Sequence, residues 1–535
     1  MASNRAAVAA GVGFAVAIPT LFVGIFFAYP VARMIGLGLD ASAFAEVLGR
    51  PRTQRLVGLT IGQAALASLV STVLGLPIAH VLYRLRFRGQ RFLRALVIVP
   101  FVMPTVVVGI AFRTLLRDTP LDGSFLAILL ALVFFNVAVV VRTVGVSWQG
   151  LDPRQEEAAR VLGASPLRVL VTVTLPRLAP SIVSAASIVF LFCATAFGVV
   201  LVLGGSRFGT IETEIWLLTT QFLDLRGASV LGIAQLVVVV ALLALAAKAR
   251  GRATPQKRAV RPRRITRQDA PAIAITLVTA ALLALPIGAL VLRSFETRDG
   301  LGVGNYLALG STGSRNALVV TVWQALGNSL VLAAAAAAIA LLVGVCASLV
   351  LSRNPRSPAL RRALELFDGA LMLPLGVSAV TVGFGFLIAL NTPPLDLRTS
   401  PVLVPIAQAL VAIPLVIRTI LPVLRSIDPR MRESAAVLGA GPVRVLASVD
   451  LGIAARPILA AAGLAFAVAL GEFGATTFLS RADRPTLPVV IYRLIGLPGG
   501  DNFGMAIAAS VVLAAVTVAV IALVERSRVA NVGGF

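Results

Sequence analysis

Long apolar segments recur along the whole chain and constrain its fold more than any other feature. The 535 residues are 58% hydrophobic and 13% charged, whereas charged residues make up about 25% of an average soluble domain. An apolar run of about 20 residues can cross the hydrocarbon core of a bilayer, which is roughly 30 Å thick. Twelve such runs occur, at 8–33, 57–83, 93–116, 125–148, 179–204, 227–248, 270–293, 326–352, 365–390, 401–424, 455–480 and 504–525. The sequence therefore predicts an all-α, polytopic membrane protein with about twelve transmembrane helices.

The basic residues lie mainly in loops on one side of these predicted helices. The formal net charge is +24, which in a soluble protein would favour nucleic acid as a partner. In membrane proteins, an excess of arginine and lysine marks the cytoplasmic loops. The clusters are Arg84, Arg86, Arg88, Arg91 and Arg94; Arg250 to Arg267; Arg353, Arg356, Arg361 and Arg362; and Arg526 and Arg528. This pattern predicts cytoplasmic termini, membrane lipid as the partner of the positive charge, and no nucleic-acid partner.

One polar segment occurs twice along the chain. The first copy, 151–176, reads LDPRQEEAARVLGASPLRVLVTVTLP, and the second copy, 427–452, reads IDPRMRESAAVLGAGPVRVLASVDLG. We call these segments the first and second elbow. Each elbow lies between the fourth and fifth predicted span of its half of the chain. A loop that only connects two helices would not need the same glycine and prolines in both copies.

The repeat extends beyond the elbows and divides the chain into two related halves. Phe197-Gly198 and Phe473-Gly474, for example, match each other with the same offset in the chain as the two elbows. The predicted halves are 1–248 and 270–535, with six transmembrane helices each, joined by a basic cytoplasmic linker at 249–269. Six is an even number, so the two copies keep the same orientation in the membrane. Such parallel repeats pack about an axis along the membrane normal.

Each elbow is predicted to form a helix, a glycine turn and a second helix. Asp152 and Asp428 are suited to the start of the first helix, because an aspartate side chain accepts hydrogen bonds from free backbone N–H groups. Gly163 and Gly439 are suited to its end, where glycine readily adopts a left-handed conformation. The elbows are therefore expected to be compact polar hairpins just below the membrane.

The elbows resemble the EAA signature of permease subunits in bacterial ABC importers. That signature is Glu-Ala-Ala, three residues, Gly, nine residues, and then a hydrophobic residue, any residue, Leu-Pro. The first elbow matches it at Glu157, Ala158, Ala159, Gly163, Val173, Leu175 and Pro176, and the second at Glu433, Ala435, Gly439, Val449 and Leu451. The second elbow departs from it at Ser434 and Gly452, which suggests two unequal coupling sites.

The resemblance implies a fold, a function and a set of partners. The fold would be that of a type I ABC importer permease, in the inner or plasma membrane of a bacterial cell. Each elbow would dock in a groove of an ATP-binding cassette subunit, present in two copies, and an extracytoplasmic solute-binding protein would deliver the substrate. Closing of the ATP-binding dimer would move both elbows and switch the membrane cavity from inward-facing to outward-facing.

Several kinds of catalytic site are missing from the sequence. A P-loop requires Gly-Lys-Ser/Thr, and neither Lys248 nor Lys257 has that setting. The single histidine, His80, and the two cysteines, Cys193 and Cys346, make a catalytic triad or a zinc site implausible. We therefore expect a transport protein that is not an enzyme, with no catalytic residue, bound metal or cofactor of its own.

The sequence leaves the substrate and the source of energy open. Fused permeases of this length resemble the thiamine and ferric-iron branch, and motifs such as Arg484-Pro485-Thr486-Leu487-Pro488 are closer to the thiamine permeases. Glu472, Trp216 and Tyr492 are the tentative residues of a translocation path, since acids and aromatic faces attract cations. Glu472 could instead bind an ion, as in a secondary transporter, or satisfy buried backbone groups. A secondary transporter would not account for two EAA-like elbows.

Overall fold

A computed structural model of the protein describes most of the chain. The described residues are 2–205, 207–249, 262–297, 300–353, 355, 357–391, 396–397, 400–497 and 499–529. Most of the predicted basic linker, residues 250–261, and Arg356 lie outside the described residues.

The described chain is almost entirely helical, as predicted. The α-helices before the linker are α1 Ala2–Val23, α2 Tyr29–Gly38, α3 Ala41–Gly49, α4 Pro51–Arg84, α5 Gln90–Val102, α6 Thr105–Leu116, α7 Phe125–Gln149, α8 Arg154–Val161, α9 Pro166–Val169, α10 Leu175–Ala194, α11 Gly198–Leu203, α12 Ile211–Thr220 and α13 Leu225–Ala249. Those after it are α14 Ala270–Ser294, α15 Gly304–Leu307, α16 Val322–Leu351, α17 Pro358–Gly376, α18 Ala379–Ala389, α19 Leu403–Ser426, α20 Pro429–Val437, α21 Pro442–Val445, α22 Gly452–Leu470, α23 Thr476–Leu479, α24 Leu487–Gly496 and α25 Gly500–Val529.

Short elements complete the described structure. Wider π-helical turns occur at Gly24–Ala28, Leu170–Thr174 and Leu446–Leu451, and 3₁₀ turns at Arg267–Asp269, Ala308–Gly310 and Ser314–Asn316. Strand β1 (Leu85–Arg86) pairs in parallel with β2 (Arg263–Arg264), and β3 (Glu296–Thr297) pairs antiparallel with β4 (Gly300–Leu301). Each strand has only two residues, so the fold class is all-α.

The structure has ten to twelve candidate membrane spans where the sequence predicts about twelve, but four of the predicted spans are not single helices. Those predicted at 179–204 and 455–480 are interrupted between α10 and α11 and between α22 and α23. Ten of the described helices are long and apolar enough to cross a membrane, and twelve spans result if each of two bent helix pairs counts as one. The bent pairs are α5 with α6 and the part of α17 up to Pro374 with α18, and the bends are 106° and 94°. The spans predicted at 93–116 and 365–390 are therefore broken helices and not straight ones.

Local sequence explains the first bend. Met103, which precedes Pro104, has an extended conformation with ψ near 139°, as expected for a residue that the following proline ring excludes from the helical region. Pro104 then stands at the start of α6. In the second pair, Val377 is also extended and Ser378 caps α18 by accepting a hydrogen bond from the Thr381 N–H. Hydropathy along the sequence does not reveal a change of direction, because both arms of each pair are apolar.

The helices form two compact units. Unit A consists of Ala41–Leu217 and Leu231–Asn305, and unit B of Met1–Asp40, Leu218–Val230 and Tyr306–Phe535. These units do not coincide with the two sequence halves. The division into halves at 1–248 and 270–535 describes the repeat in the sequence, and it stays a prediction about how the chain is organised.

The difference arises because the first helical segment of each half packs with the other half. In unit A, α14 packs against α4 and α6. In unit B, α1 packs against α16, and α2 packs against α18. The second contact is close: a Cβ atom added to Gly385 would lie 3.1 Å from the Pro30 Cβ, and the Phe26 and Phe386 ring centroids are 6.3 Å apart.

Candidate functional site

The first helix of each elbow begins as the sequence predicts, with an aspartate that accepts a backbone hydrogen bond. The Arg154 N–H donates to the Asp152 carboxylate over 3.1 Å, and the Arg430 N–H donates to the Asp428 carboxylate over 2.9 Å. A proline follows each aspartate, where its missing N–H costs nothing at a helix start. Both elbow helices therefore begin beside the same aspartate hydrogen bond, although α20 starts at Pro429 and α8 starts one repeat position later, at Arg154.

The turn after each first helix requires glycine for its backbone conformation. Gly163 has φ +82° and Gly439 has φ +85°, a left-handed region that other residues adopt at a cost. In the first elbow, the Ala164 N–H donates to the Ala159 carbonyl and the Gly163 N–H to the Arg160 carbonyl. The second elbow makes both bonds at the equivalent positions of the repeat. This is a Schellman motif, which satisfies the last free carbonyl groups of a helix.

After the turn, each elbow rejoins the membrane helices through a short helix and a π-helical turn. In the first elbow, Ser165 caps α9 and π turn Leu170–Thr174 leads into α10. In the second, Gly441 begins α21 and π turn Leu446–Leu451 leads into α22. π-helical turns are rare and frequently lie at functional sites. Both elbows have one here, although the sequence pattern predicts only regular helix.

The tip of each elbow exposes apolar side chains. Val161 and Leu162 are each 87% exposed, and Val437 and Leu438 are 88% and 86% exposed. Leu167 and Val443, on the short second helices, are also exposed. Exposed apolar patches on an otherwise polar surface mark contact sites for other proteins or for membranes. Local sequence does not single out these residues as exposed, although Val-Leu-Gly is identical in both elbows.

The residues of the EAA signature differ in how far they are exposed to solvent. Glu157 and Glu433 are exposed on the first turns of α8 and on α20, and Ala158 is also exposed. Ala159 and Ala435 are half-buried, and their carbonyl groups receive the Schellman bonds. In each elbow, the predicted coupling residues thus lie together on one small helical hairpin.

Glu472 lies at a break in the helix that follows the second elbow. Helix α22 ends at Leu470 and α23 starts at Thr476. The two carboxylate oxygens of Glu472 accept hydrogen bonds from the Ala475 N–H at 2.7 Å and the Thr476 N–H at 3.0 Å. The side chain is buried. Its geometry corresponds to one of the three sequence interpretations, that of an acid that satisfies buried backbone groups.

The two aromatic residues proposed for a translocation path occupy equivalent positions in the two units. In unit A, the Trp216 and Phe197 ring centroids are 6.4 Å apart. In unit B, the Tyr492 and Phe473 ring centroids are 5.5 Å apart. Phe473 follows Glu472 in the chain, and Glu472 and Tyr492 belong to the same unit, whereas Trp216 belongs to the other unit. The path itself stays a prediction.

The titratable residues provide no candidate metal centre in the part of the chain that the structure describes. No group of three or more His, Cys, Asp or Glu side chains there could hold a metal ion. Cys193 is buried and Cys346 is half-buried, and both are free. The features with functional potential are thus the two elbows and the helix breaks that follow them.

The ten to twelve apolar candidate spans and the two polar hairpins are typical of a multi-pass membrane protein. Residues 71–250, which include the first elbow, match the family described as binding-protein-dependent transport system inner membrane component. A probable sulfate transport system permease protein cysT from Nephroselmis olivacea is 31% identical over 218 residues, which cover 38% of this chain and 77% of the relative. The chain belongs to this family of inner membrane transport components.

Two further relatives match most of both chains. The thiamine transport system permease protein ThiP of Escherichia coli is 27% identical over 460 residues, or 82% of this chain and 83% of the relative. The protein of the same name from Brucella abortus is 25% identical over 484 residues, or 86% of this chain and 85% of the relative.

The family fixes the general function of the chain. It is the permease of an ABC importer, a multi-pass inner membrane component and not a catalytic subunit. A binding-protein-dependent system operates with a solute-binding protein and an ATPase as partners.

Proposed function

We propose that this chain is the membrane permease of an importer for thiamine, and that its two elbows couple transport to ATP hydrolysis in a partner subunit. In this proposal, an extracytoplasmic binding protein delivers thiamine, and two copies of the ATP-binding subunit contact the elbows from the cytoplasm. Both termini of the permease lie in the cytoplasm.

The observation that carries the choice of thiamine is the extent of similarity to the two thiamine permeases. Each of them aligns over more than four-fifths of both chains, so the similarity includes both halves of the repeat. The sulfate relative aligns over 38% of this chain, or 218 residues. This alignment is shorter than either of the two predicted halves. A relative that shares the fused, two-half organisation supports a substrate more strongly than one that matches a single half.

The geometry of the elbows supports their proposed role in coupling. Each elbow presents two highly exposed apolar residues beside an exposed glutamate. Protein interfaces are typically built around a few apolar anchors with a polar rim. A groove on the ATP-binding subunit would bury Leu162 or Leu438 as such an anchor. The glycine turn would keep the anchor in a fixed position relative to the rest of the elbow.

The proposed path residues suit a cationic, aromatic substrate. Thiamine carries a positive charge, and the aromatic faces of Trp216 and Tyr492 would attract it by cation–π interaction. Glu472 would shape the path by holding the helix break in place beside Phe473. Ferric iron is the alternative that the sequence leaves open, and sulfate is the substrate named for other relatives.

Uptake by living cells tests the substrate. The chain, its ATP-binding subunit and its binding protein would be produced together in bacteria that lack their own thiamine importer. We expect saturable uptake of radiolabelled thiamine that disappears when the ATPase is inactivated. Excess unlabelled thiamine should compete, whereas ferric citrate and sulfate should not. Uptake of radiolabelled iron or sulfate without uptake of thiamine would reject the proposed substrate and leave the importer family unaffected.

Charge substitutions at the tips test the docking role. Leu162→Asp and Leu438→Asp together should release the ATP-binding subunit during purification, because each replaces an apolar anchor by a charge. Both side chains are highly exposed, so the thermal stability of the isolated permease should stay nearly unchanged. Leu301→Asp is the matched control, since Leu301 is 84% exposed and lies on β4, outside both elbows. Co-purification of the double variant at the wild-type level would contradict the docking role.

A further inference from the structure

Packing of apolar side chains does not hold the first helix of either elbow in place. No residue of α8 or of α20 is buried. A helix of eight or nine residues is only marginally stable on its own in water. The position of each elbow helix must therefore depend on polar contacts with the rest of its unit.

In the first elbow, those contacts converge on Glu156. The guanidinium group of Arg84, the last residue of α4, donates to the Glu156 carboxylate over 3.0 Å and to the Leu151 carbonyl over 3.4 Å. The Thr174 hydroxyl, in the π turn, donates to the other Glu156 oxygen over 3.1 Å. Glu156 is 17% exposed and Arg84 9%. One carboxylate on α8 thus connects the elbow helix to the end of α4 and to the π turn.

In the second elbow, the contacts converge on Asp450. Arg432, on α20, donates to the Asp450 carboxylate over 2.7 Å, and Arg353, just after the end of α16, donates to it over 3.1 Å. Asp450 lies in π turn Leu446–Leu451 and is 2% exposed. Arg432 also donates to the Leu424 carbonyl over 3.4 Å. One carboxylate in the π turn thus connects the elbow helix to the end of α16.

The two clusters occupy equivalent positions and have inverted charges. Glu156 and Arg432 correspond to each other in the sequence repeat, as do Thr174 and Asp450. An arginine at the end of the long helix, Arg84 or Arg353, is common to both clusters. The acid lies on the elbow helix in the first cluster and in the π turn in the second. The same three elements are connected in both, although the charges within the repeat have changed places.

We propose that Glu156 and Asp450 are positioning residues that fix each elbow to the inner end of the long membrane helix, α4 or α16, so that movement of the elbow moves that helix. This inference rests on the proposed coupling role of the elbows. Asp450 is buried and Glu156 is largely shielded from water, so breaking either pair leaves a charge that is poorly solvated. The link can therefore transmit movement of the elbow to the helix. An exposed ion pair would do so poorly, because water screens the attraction between its charges.

Transplanting the second cluster into the first half tests the link. Glu156→Arg alone places two arginines next to each other and should break it. Adding Thr174→Asp recreates the arrangement of the second elbow, with an acid in the π turn between two arginines. The reciprocal pair is Arg432→Glu followed by Asp450→Thr. Gln155→Arg is the matched control, since it also introduces an arginine, at an exposed position of the same helix.

Hydrogen exchange of the purified full chain provides the first readout, because it requires neither a partner nor a substrate. Exchange across 154–161 should accelerate about ten-fold in Glu156→Arg and return to within about three-fold of the wild type in the double variant, the size of effect expected for directly coupled residues. Gln155→Arg should exchange like the wild type. Unchanged exchange in Glu156→Arg, or no recovery in the double variant, would overturn the proposal. The milder Glu156→Gln should give an intermediate rate, and provides the comparison if Glu156→Arg fails to accumulate.

The second readout is the amount of radiolabelled thiamine imported per ATP hydrolysed by the complete importer in liposomes. The ratio should fall about ten-fold in Glu156→Arg while the ATP-binding subunit still co-purifies, and recover in the double variant. A wild-type ratio in Glu156→Arg, despite faster exchange, would show that the contact does not transmit movement and would overturn the proposal. A wild-type importer that hydrolyses ATP without importing thiamine would instead reject the proposed substrate, and the exchange measurements would still decide whether the link exists.

Discussion

The helix break that follows each elbow differs between the two halves. In the second half, the Glu472 carboxylate accepts hydrogen bonds from two backbone N–H groups at the break between α22 and α23. The equivalent position in the first half is Ala196, and it lies at the break between α10 and α11. An alanine side chain cannot accept a hydrogen bond. The comparison teaches that a repeated backbone shape does not require repeated chemistry.

The two breaks differ in whether a carboxyl side chain satisfies free backbone groups. Backbone polar groups at membrane depth must find partners within the protein, because lipid offers none. At Glu472 a carboxyl side chain provides these partners, whereas the first half forms the same kind of break without one. The second break should therefore be more rigid and more sensitive to substitution than the first.

The largest effect is expected from removal of the Glu472 carboxylate. Glu472→Ala leaves two buried N–H groups without their acceptor and should destabilise the protein by about 2–5 kcal/mol. Glu472→Gln retains one acceptor oxygen and should lose roughly half as much. Ala196→Ser, at the equivalent position of the first half, should change stability by less than about 1 kcal/mol. Thermal unfolding of the purified chain in detergent measures all three, and equal stability of Glu472→Ala and the wild type would remove the contrast between the breaks.

An intermediate effect on stability is expected where both halves make an equivalent hydrogen bond from a backbone N–H to a side-chain hydroxyl. The Ile211 N–H donates to the Thr60 hydroxyl over 3.1 Å, and the Leu487 N–H donates to the Ser329 hydroxyl over 2.7 Å. All four groups are buried. Thr60→Val and Ser329→Ala should each cost about 1–2 kcal/mol, because each leaves one N–H without an acceptor.

The control for this pair is Thr172→Val. Thr172 is exposed and its hydroxyl bonds only to the Arg168 carbonyl, so the change should be nearly neutral. Similar losses for Thr60→Val and Ser329→Ala would show that the halves are equivalent here and differ only at the break. A loss confined to one of the two would extend the asymmetry to α4 and α16.

The smallest effect on stability is expected at the elbow turns. Gly163→Ala and Gly439→Ala should each cost about 1 kcal/mol, because alanine is strained at positive φ. A Cβ atom at either position would meet no neighbour within 4 Å, so strain of the backbone is the only penalty. Gly441→Ala is the matched control, with φ −66° and equally open surroundings.

The same turns give a functional comparison of the elbows. Replacing both Gly163 and Gly439 with valine should uncouple ATP hydrolysis from transport while the protein still inserts in the membrane. We expect the amount of substrate imported per ATP to fall further in the double variant than in either single variant. Unchanged transport in the double variant would refute the role assigned to the elbows.

The sequence predicts the parts of this molecule that depend on local pattern. Apolar length predicts the membrane helices, and Asp152, Gly163 and their repeat counterparts predict the start and end of the elbow helices. The bends at 103–104 and 377–378 were missed because hydropathy records polarity and not direction. The exposure of Val161 and Leu162 was also missed, since an apolar residue on a short amphipathic segment is ordinarily expected to be buried.

Long-range contacts could not be predicted from one sequence. Arg84 and Glu156 are 72 residues apart, and nothing in either local sequence indicates that they pair. The second cluster, Arg353, Arg432 and Asp450, has the opposite arrangement of charges. This inversion is recognised only when the contacts of the two elbows are compared in the structure. The sequence leaves three interpretations of Glu472 open, and one of them is an acceptor for backbone N–H groups. Only the position of the carboxylate in the structure shows that it makes these hydrogen bonds.

The packing of α1 with the second half has a consequence for biosynthesis. Helix α1 ends at Val23, whereas its partner α16 begins only at Val322, so more than half of the chain is synthesised between them. At translation rates of about 5–20 residues per second, α1 would wait in the membrane for roughly 15–60 s before α16 leaves the ribosome. The newly inserted helix must stay in the bilayer without its native neighbour during that time. Helix α14, by contrast, finds α4 and α6 already in place as it emerges.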